Sequence, residues 1–272
     1  MAETKMNVQL IAHTLVSEKF AKMFALNETE DALTDVGELF REGVTDGQAI
    51  ALTAIRTCYS ADKPTEIVAK EGSKYFGSKA SDGGAGTDAY RLFRHIFASK
   101  HTSTLEHLTF TFAIEGVSRA LLAQLTRHRA GFSFSVQSQR YVRMGSDDKI
   151  GGFDYVVPEK VKTCSNELDL YGGGDALFSA REIFEDALRD LQDAYDYLRE
   201  MGVPAEDARA VLPNAAATNL VMTANLTALL SFYSKRRSGK GAQKEISDLA
   251  EMLRREVESV EPWTSQFFET AG

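Results

Sequence analysis

Cysteine is nearly missing from this chain: Cys58 and Cys164 are the only two among 272 residues. Two thiols allow one bridge at most, so neither a disulfide framework nor a four-cysteine zinc site can be built from them. Long apolar runs are missing too. No stretch reaches the ~18 consecutive apolar residues that mark a membrane-spanning helix. The opening MAETKMNVQLIAHT has no charged segment followed by an apolar run, so it does not read as a secretory leader. These absences point to a reducing cytoplasm with both thiols free. Positive charge is also in deficit, since the formal net charge is −8. Nucleic acid and membrane surfaces are anionic and repel such a surface, so a dedicated binder of a nucleic-acid polymer or of a membrane is not expected.

What is present is an ordinary globular balance, 43% hydrophobic and 26% charged, enough for a sizeable core. Residues 6–14 alternate as a half-buried strand does. Residues 29–60 have helical spacing, with breaks expected near Asp35–Gly37 and Asp46–Gly47. Residues 71–88, rich in Gly, Ser and Asp, read as a loop. Helical periodicity returns over 89–99. Residues 108–114 (LTFTFAI) predict a strand, and 116–128 a helix with Leu121, Leu122 and Leu125 on one face. Short strands are expected at 139–143 and 152–157, and a glycine-rich loop at 171–176. Ile183, Phe184, Leu188, Leu191, Tyr195 and Leu198 follow the 3.6 period and predict an amphipathic helix over 177–200. Two further helices are expected at 217–234 and 242–259. No repeat or linker divides the chain, which reads as a single domain over 1–272.

Acids are unevenly missing. From Gly116 to Ser146 there is no Asp or Glu, yet Arg119, Arg127, Arg129, Arg140 and Arg143 lie there, without a lysine. From Ala208 to Lys244 there is again no acid, beside Arg209, Lys235, Arg236, Arg237, Lys240 and Lys244. Two purely positive segments in an acidic chain are most simply anion sites. Guanidinium is a flat fork that grips phosphate oxygens in pairs, and Ser133, Ser135, Ser138 and Tyr141 add neutral donors. The segment RHRAGFSFSVQSQRYVR therefore reads as a nucleotide-gripping loop. Two other readings fit the same charges: a solvated basic face, and an RNA-binding surface, although the latter usually belongs to a basic protein.

Arg127-His128-Arg129, eight residues, then Ser138-Gln139-Arg140-Tyr141 resembles the signature of the flavin-dependent thymidylate synthases. That family carries RHR, seven residues and Ser, usually followed by x-Arg-Tyr. The extra residue falls between Ala130 and Gln137. His101-Thr-Ser103-Thr-Leu-Glu106-His107 resembles the family's His-x-Thr/Ser-x-x-Glu-His segment. Gln124, Arg209-Ala-Val-Leu-Pro213, Asn225 with Arg236 eleven residues on, and Arg56-Thr-Cys58-Tyr59-Ser60 are similar to further family segments. The stretches 20–48 and 68–88 have no counterpart and read as insertions.

The resemblance implies an α/β (α+β) fold, a small, mainly antiparallel sheet flanked by long helices, in a homotetramer whose sites draw on more than one subunit. It implies methylation of dUMP to dTMP with FAD, 5,10-methylenetetrahydrofolate and NADPH. By the same resemblance Ser103, Glu106, Arg127, His128, Arg129 and Asn225 would hold FAD. Gln124, Arg127, Ser138, Arg140, Arg209 and Arg236 would hold dUMP, and His101 would lie near the folate. Arg236 and Ser138 are the candidates for a catalytic part, Ser138 ranking as a binder because no base stands near it in sequence. Thr227 and Ser231 replace an Arg and an Asn of the family and weaken the FAD contacts of that segment. A related flavoprotein that methylates another uracil remains open.

Methylating uracil C5 needs electron density there. A cysteine nucleophile would need an activated thiolate in an electropositive pocket, and the sequence around Cys58 and Cys164 does not show one. The flavin route leaves the protein to orient rings and polarise a carbonyl, work suited to fixed guanidinium groups. Arg127 and Arg129 should keep His128 neutral at pH 7. No metal is expected: the inverted zinc motif His-x-x-Glu-His fails at Ser103. His13 and His95 read as structural, and Trp263 as packing for the C-terminal segment. Glycines 172–174 lack the G-x-G-x-x-G spacing, so they imply no dinucleotide fold.

Overall fold

A computed structural model describes residues 1–21, 43–172 and 176–270. In chain order the elements that shape the site are β1 (Asn7–His13), α1 (Asp46–Thr57), α2 (Ile67–Gly77), α3 (Asp88–Ala98), a 3-10 turn (Thr102–Leu105), β2 (Thr109–Ser118), α4 (Arg119–Leu125) and β3 (Phe132–Val136). There follow α5 (Glu159–Lys162), β4 (Glu167–Asp169), β5 (Leu177–Ser179), α6 (Ala180–Glu200), α7 (Ala205–Ala208), β6 (Ala217–Asn225), α8 (Leu226–Arg236), α9 (Lys244–Val260) and α10 (Ser265–Thr270).

β1, β2, β6 and β3 form one four-stranded antiparallel sheet in that order. Its strands obey the period of two. Phe110, Phe112 and Ile114 of β2 and Leu220, Met222 and Ala224 of β6 are buried in the main core. On the other face the hydroxyls of Thr111 and Thr223 meet at 2.9 Å. Leu226, Leu229, Leu230 and Phe232 of α8 and Ile246, Leu249, Leu253 and Val257 of α9 join the same core. The expected fold class is the one observed. A second cluster packs Met144 and Phe153 against Leu188 and Tyr195 of α6. Cys58 and Cys164 are free and exposed.

Several boundaries differ from the sequence reading. Residues 217–225 are strand β6 rather than the start of a helix, since its burial alternates at every second residue. The period changes at Asn225, whose side chain accepts from Ala228 N and caps α8. The helix expected from 116 begins at Arg119, because Gly116–Ser118 still belong to β2 and Ser118 caps α4. The supposed loop 71–88 is helical up to Gly77, where Tyr75 and Phe76 are buried. The break expected near Asp46–Gly47 is present: residues 43–45 are not helical, and α1 starts at Asp46 with a Thr45–Gln48 capping box. Residues 177–179 are strand β5, and α6 begins at Ala180 behind a Ser179–Glu182 capping box. No strand forms at 139–143 or 152–157; the first is a turn, and in the second only Tyr155 bridges, to Glu3 and Ala216. The Asp35–Gly37 break and residues 173–175 of the glycine-rich loop lie outside the described residues.

Candidate active site

The sheet delivers its functional side chains at the ends of strands and in the turns between them. After α4 the chain turns through Arg127-His128-Arg129 and enters β3. β3 pairs with β6 residue for residue, from Phe132 opposite Ala224 to Val136 opposite Leu220, without a bulge. Gln137 N continues the register onto Asn219 O at 2.9 Å. Gly131, in the turn before the strand, adopts φ +75°. Its carbonyl accepts from Asn225 N at 3.1 Å. A Cβ on Gly131 would lie 2.8 Å from both Ala228 Cβ and Asn225 Nδ2.

This turn runs along α8. His128 packs its ring edge-on against Phe232, centroids 5.0 Å apart, and its Nε2 accepts from Arg236 Nε at 3.2 Å. Nε2 is thus an acceptor, which fixes a neutral imidazole with its proton on Nδ1. Burial, then Arg236, Lys235 and Arg127, pushes the His128 pKa down. The expected neutrality holds, but its main cause is burial and the charges of α8, ahead of Arg127. Arg127 and Arg129 are exposed, and neither pairs with a carboxylate among the described residues. Gln124 donates to Gln243 Oε1 at 2.6 Å, just ahead of α9.

A second group gathers past the other end of β3. Ser138 Oγ accepts from Arg140 N at 3.2 Å, closing a tight turn. Arg140 donates through Nε to Glu206 Oε2 at 2.6 Å, and Arg209 through Nε to the Glu206 carbonyl at 2.9 Å. The sequence reading gave Arg119 no role, yet it belongs here. Its Nη2 donates to Gln137 O at 3.1 Å, while its Nε is buried without a partner. Burial and then the Arg209 charge push its pKa down. The Arg209 charge thus disfavours the Arg119 cation, and among the described residues no carboxylate is bonded to either guanidinium, a disposition that an anion would relieve. Gln139 Nε2 is also buried without a partner nearby in sequence. Burial beside Arg209 is the mark of Arg119, and a linear pattern cannot report it.

The third group lies on the 3-10 turn. Thr227 Oγ1 donates to Thr102 O at 2.8 Å, tying the turn to the start of α8. Thr227 therefore serves an internal contact. Ser103 and Glu106 are exposed beside it. His101 Nδ1 lies 2.9 Å from the Tyr59 hydroxyl. The chain brings Asn225, Gly131 and the 3-10 turn to one end of the β3–β6 pair, and Ser138, Arg140, Arg209 and Arg119 to the other. The five residues of β3, six rises of strand or about 20 Å, separate Gly131 from Gln137.

A family model described as "Thymidylate synthase complementing protein" matches residues 42–263. A flavin-dependent thymidylate synthase of Geobacter sulfurreducens is 40% identical over 217 residues, 80% of this chain and 80% of that protein. This chain belongs to the flavin-dependent thymidylate synthase family. A relative of the same description from Haloarcula marismortui is 36% identical over 194 residues, 65% of this chain and 73% of that one. The fold agrees. The crystal structure of a UMP/dUMP methylase from Streptomyces cacaoi bound with 5-Br dUMP superposes with a TM-score of 0.65 at 19% identity, covering 99% of this chain and 97% of that one.

The first group has the chemistry to hold an anionic cofactor. Arg127 and Arg129 offer unpaired forks suited to a diphosphate. Asn225 spends its oxygen on the α8 cap, which leaves its Nδ2 as a donor, and Gly131 keeps the space beside that donor clear. Among the described residues no cluster of His, Cys, Asp and Glu is placed to hold a metal ion, and no helix is long and apolar enough to cross a membrane.

Proposed function

We propose that this chain methylates dUMP to dTMP, with 5,10-methylenetetrahydrofolate as carbon donor and NADPH as reductant, through bound FAD. The observation that carries the nucleotide part is the Arg119–Arg209 pair. It is uncompensated, adjoins Ser138, Gln137 and Arg140, and calls for a phosphate. Ser138, Arg140 and Arg209, with Arg119 added, would take the phosphate. Arg236 would polarise a uracil carbonyl, and its Nε is aimed by the bond to His128 Nε2. Gln124 and Arg127 would add further contacts to dUMP. Ser138 would act as a binder, since its Oγ accepts from Arg140 N and among the described residues no base is bonded to it.

Arg127, His128, Arg129 and Asn225 would hold FAD, with Ser103 and Glu106 completing the site from a neighbouring subunit. When bound, the flavin supplies hydride chemistry. His128 stays neutral, so it accepts from Arg236 and adds no charge. His101 would face the folate. We further propose a homotetramer of single-domain chains. In such an assembly the dinucleotide group of one chain meets the phosphate group of another, which answers the ~20 Å between them.

The test is the absorbance of the purified protein and its response to substrates. A yellow protein with an FAD spectrum, bleached by NADPH and releasing label from 5-tritiated dUMP only with folate present, supports the reading. A colourless protein, or flavin reduction without label release, would remove it.

A further inference from the structure

Beside the phosphate group lies a cavity of about 350 Å³, lined by Arg140, Tyr141, Arg143, Arg199, Pro204, Ala205 and Glu206. Its charge is unusual for an acidic chain. Glu206 is its only acid, and that carboxylate is already taken by Arg140 at 2.6 Å. Arg143 and Arg199 remain in surplus. Arg199 donates through Nη1 to Val203 O at 2.5 Å, which fixes the guanidinium at the end of α6 and leaves further donors for a ligand. Arg143 is exposed, and among the described residues it has no carboxylate partner. Tyr141 lies 77% exposed at the rim, with the Arg140 guanidinium over its ring at 5.4 Å. Pro204 supplies an apolar wall.

None of the residues given to dUMP above lines this cavity except Arg140, which stands on the border between the two. We infer that the cavity is a second phosphate-binding site, one that accepts a nucleotide phosphate other than the α-phosphate of dUMP. Two forked donors in surplus suit a phosphate dianion, which they can grip bidentately. The exposed phenol and the proline offer a flat apolar platform for the sugar or base that carries it. The volume fits a mononucleotide-sized fragment rather than a whole dinucleotide. Two sources share this chemistry: the 2′-phosphate of NADPH, and the outer phosphates of a pyrimidine nucleoside triphosphate anchored at Arg140. The inference rests on the dUMP reading for its neighbour, not for its own charge.

The direct probe is inorganic pyrophosphate, titrated calorimetrically into the full chain saturated with dUMP. It should bind alongside dUMP. Arg143→Gln, which removes no recorded contact, should weaken it about tenfold, the loss of one charge-assisted contact. Arg199→Gln should act in the same direction. Two kinetic arms then name the source. Loss of the preference for NADPH over NADH in both variants assigns the 2′-phosphate. A raised inhibition constant for dTTP but not for dTMP assigns the outer phosphates. Pyrophosphate that displaces dUMP, or binds both variants as tightly as the parent, overturns the site. If the parent fails to turn over dUMP yet binds pyrophosphate through Arg143, the function fails and the cavity stands.

Discussion

Replacing Arg140 by alanine separates binding from stability, because the structure gives the two effects different sizes. The Arg140 side chain is 55% exposed and that of Glu206 45%. An ion pair so open to solvent contributes about 0–1 kcal/mol. In a chain of this size that moves the melting temperature by no more than about 4 °C. A guanidinium on a phosphate contributes more, about 1.5–3 kcal/mol for a hydrogen bond to a charged group. Its loss corresponds to roughly a 10- to 150-fold rise in the dUMP KM. Arg140→Ala should therefore melt almost with the parent and require far more dUMP. Glu206→Gln sharpens the case, for it releases Arg140 and should leave the dUMP KM equal or lower. Tritium release from labelled dUMP and a thermal melt measure the two quantities. An unchanged KM in Arg140→Ala removes Arg140 from the site. A melting point lowered by 15 °C or more would show that the exposure argument is wrong.

Three further outcomes follow from contacts already described. His128 should remain neutral at pH 7 by NMR. Its pKa is depressed below the ordinary 6.5, so the stability it contributes is present above that value and is lost as pH falls through the folded pKa; a ring protonated at neutrality would contradict the bond from Arg236. Gly131→Ala should destabilise by about 1–3 kcal/mol through its positive φ and the two contacts awaiting its Cβ, and should weaken flavin retention measured by dialysis; a variant that keeps parent stability refutes the turn geometry. Glu261→Ala should be the most damaging. This carboxyl is 2% exposed and accepts from Thr45 Oγ1, from Gly47 N at 3.0 Å and from Trp263 Nε1 at 2.5 Å, so its removal orphans three donors at about 1–3 kcal/mol each. Urea unfolding would reveal it, and a loss under 1 kcal/mol would contradict the bonding.

The legible features were those that one segment carries alone. The alternation LTFTFAI gave β2, and the 3.6 period through Leu188 and Tyr195 gave most of α6. The failure at 217–234 has a physical cause. Thr218, Leu220, Met222 and Ala224 alternate in burial, but they are followed without a turn by the helical run Leu226–Tyr233, and one apolar stretch conceals two periods. Asn225 marks the change, and a capping residue at that point is a signal that could have divided the stretch. Glu261 and Gly47 were illegible in another way. They meet across 214 residues of sequence, so neither a break near Gly47 nor an acid near the C-terminus could reveal that one caps the other.

The acid-free windows located the arginines without telling them apart, and the fold supplies that distinction through partners. Arg236 is committed to His128 and Arg140 to Glu206. Arg127 and Arg129 have no carboxylate, and Arg119 is half-buried beside a like charge. A solvated basic face would not bury a guanidinium nitrogen without a partner where another cation acts on it, because desolvation and repulsion both oppose it and solvent exposure would relieve both. Retaining Arg119 next to Arg209 costs stability in the isolated chain. An anion bound beside them would offset that cost, so binding and stability should rise together: dUMP should raise the melting temperature of the parent, and raise it much less in Arg119→Gln. Equal shifts in the two proteins would show that the burial of Arg119 is structural and that the phosphate lies elsewhere.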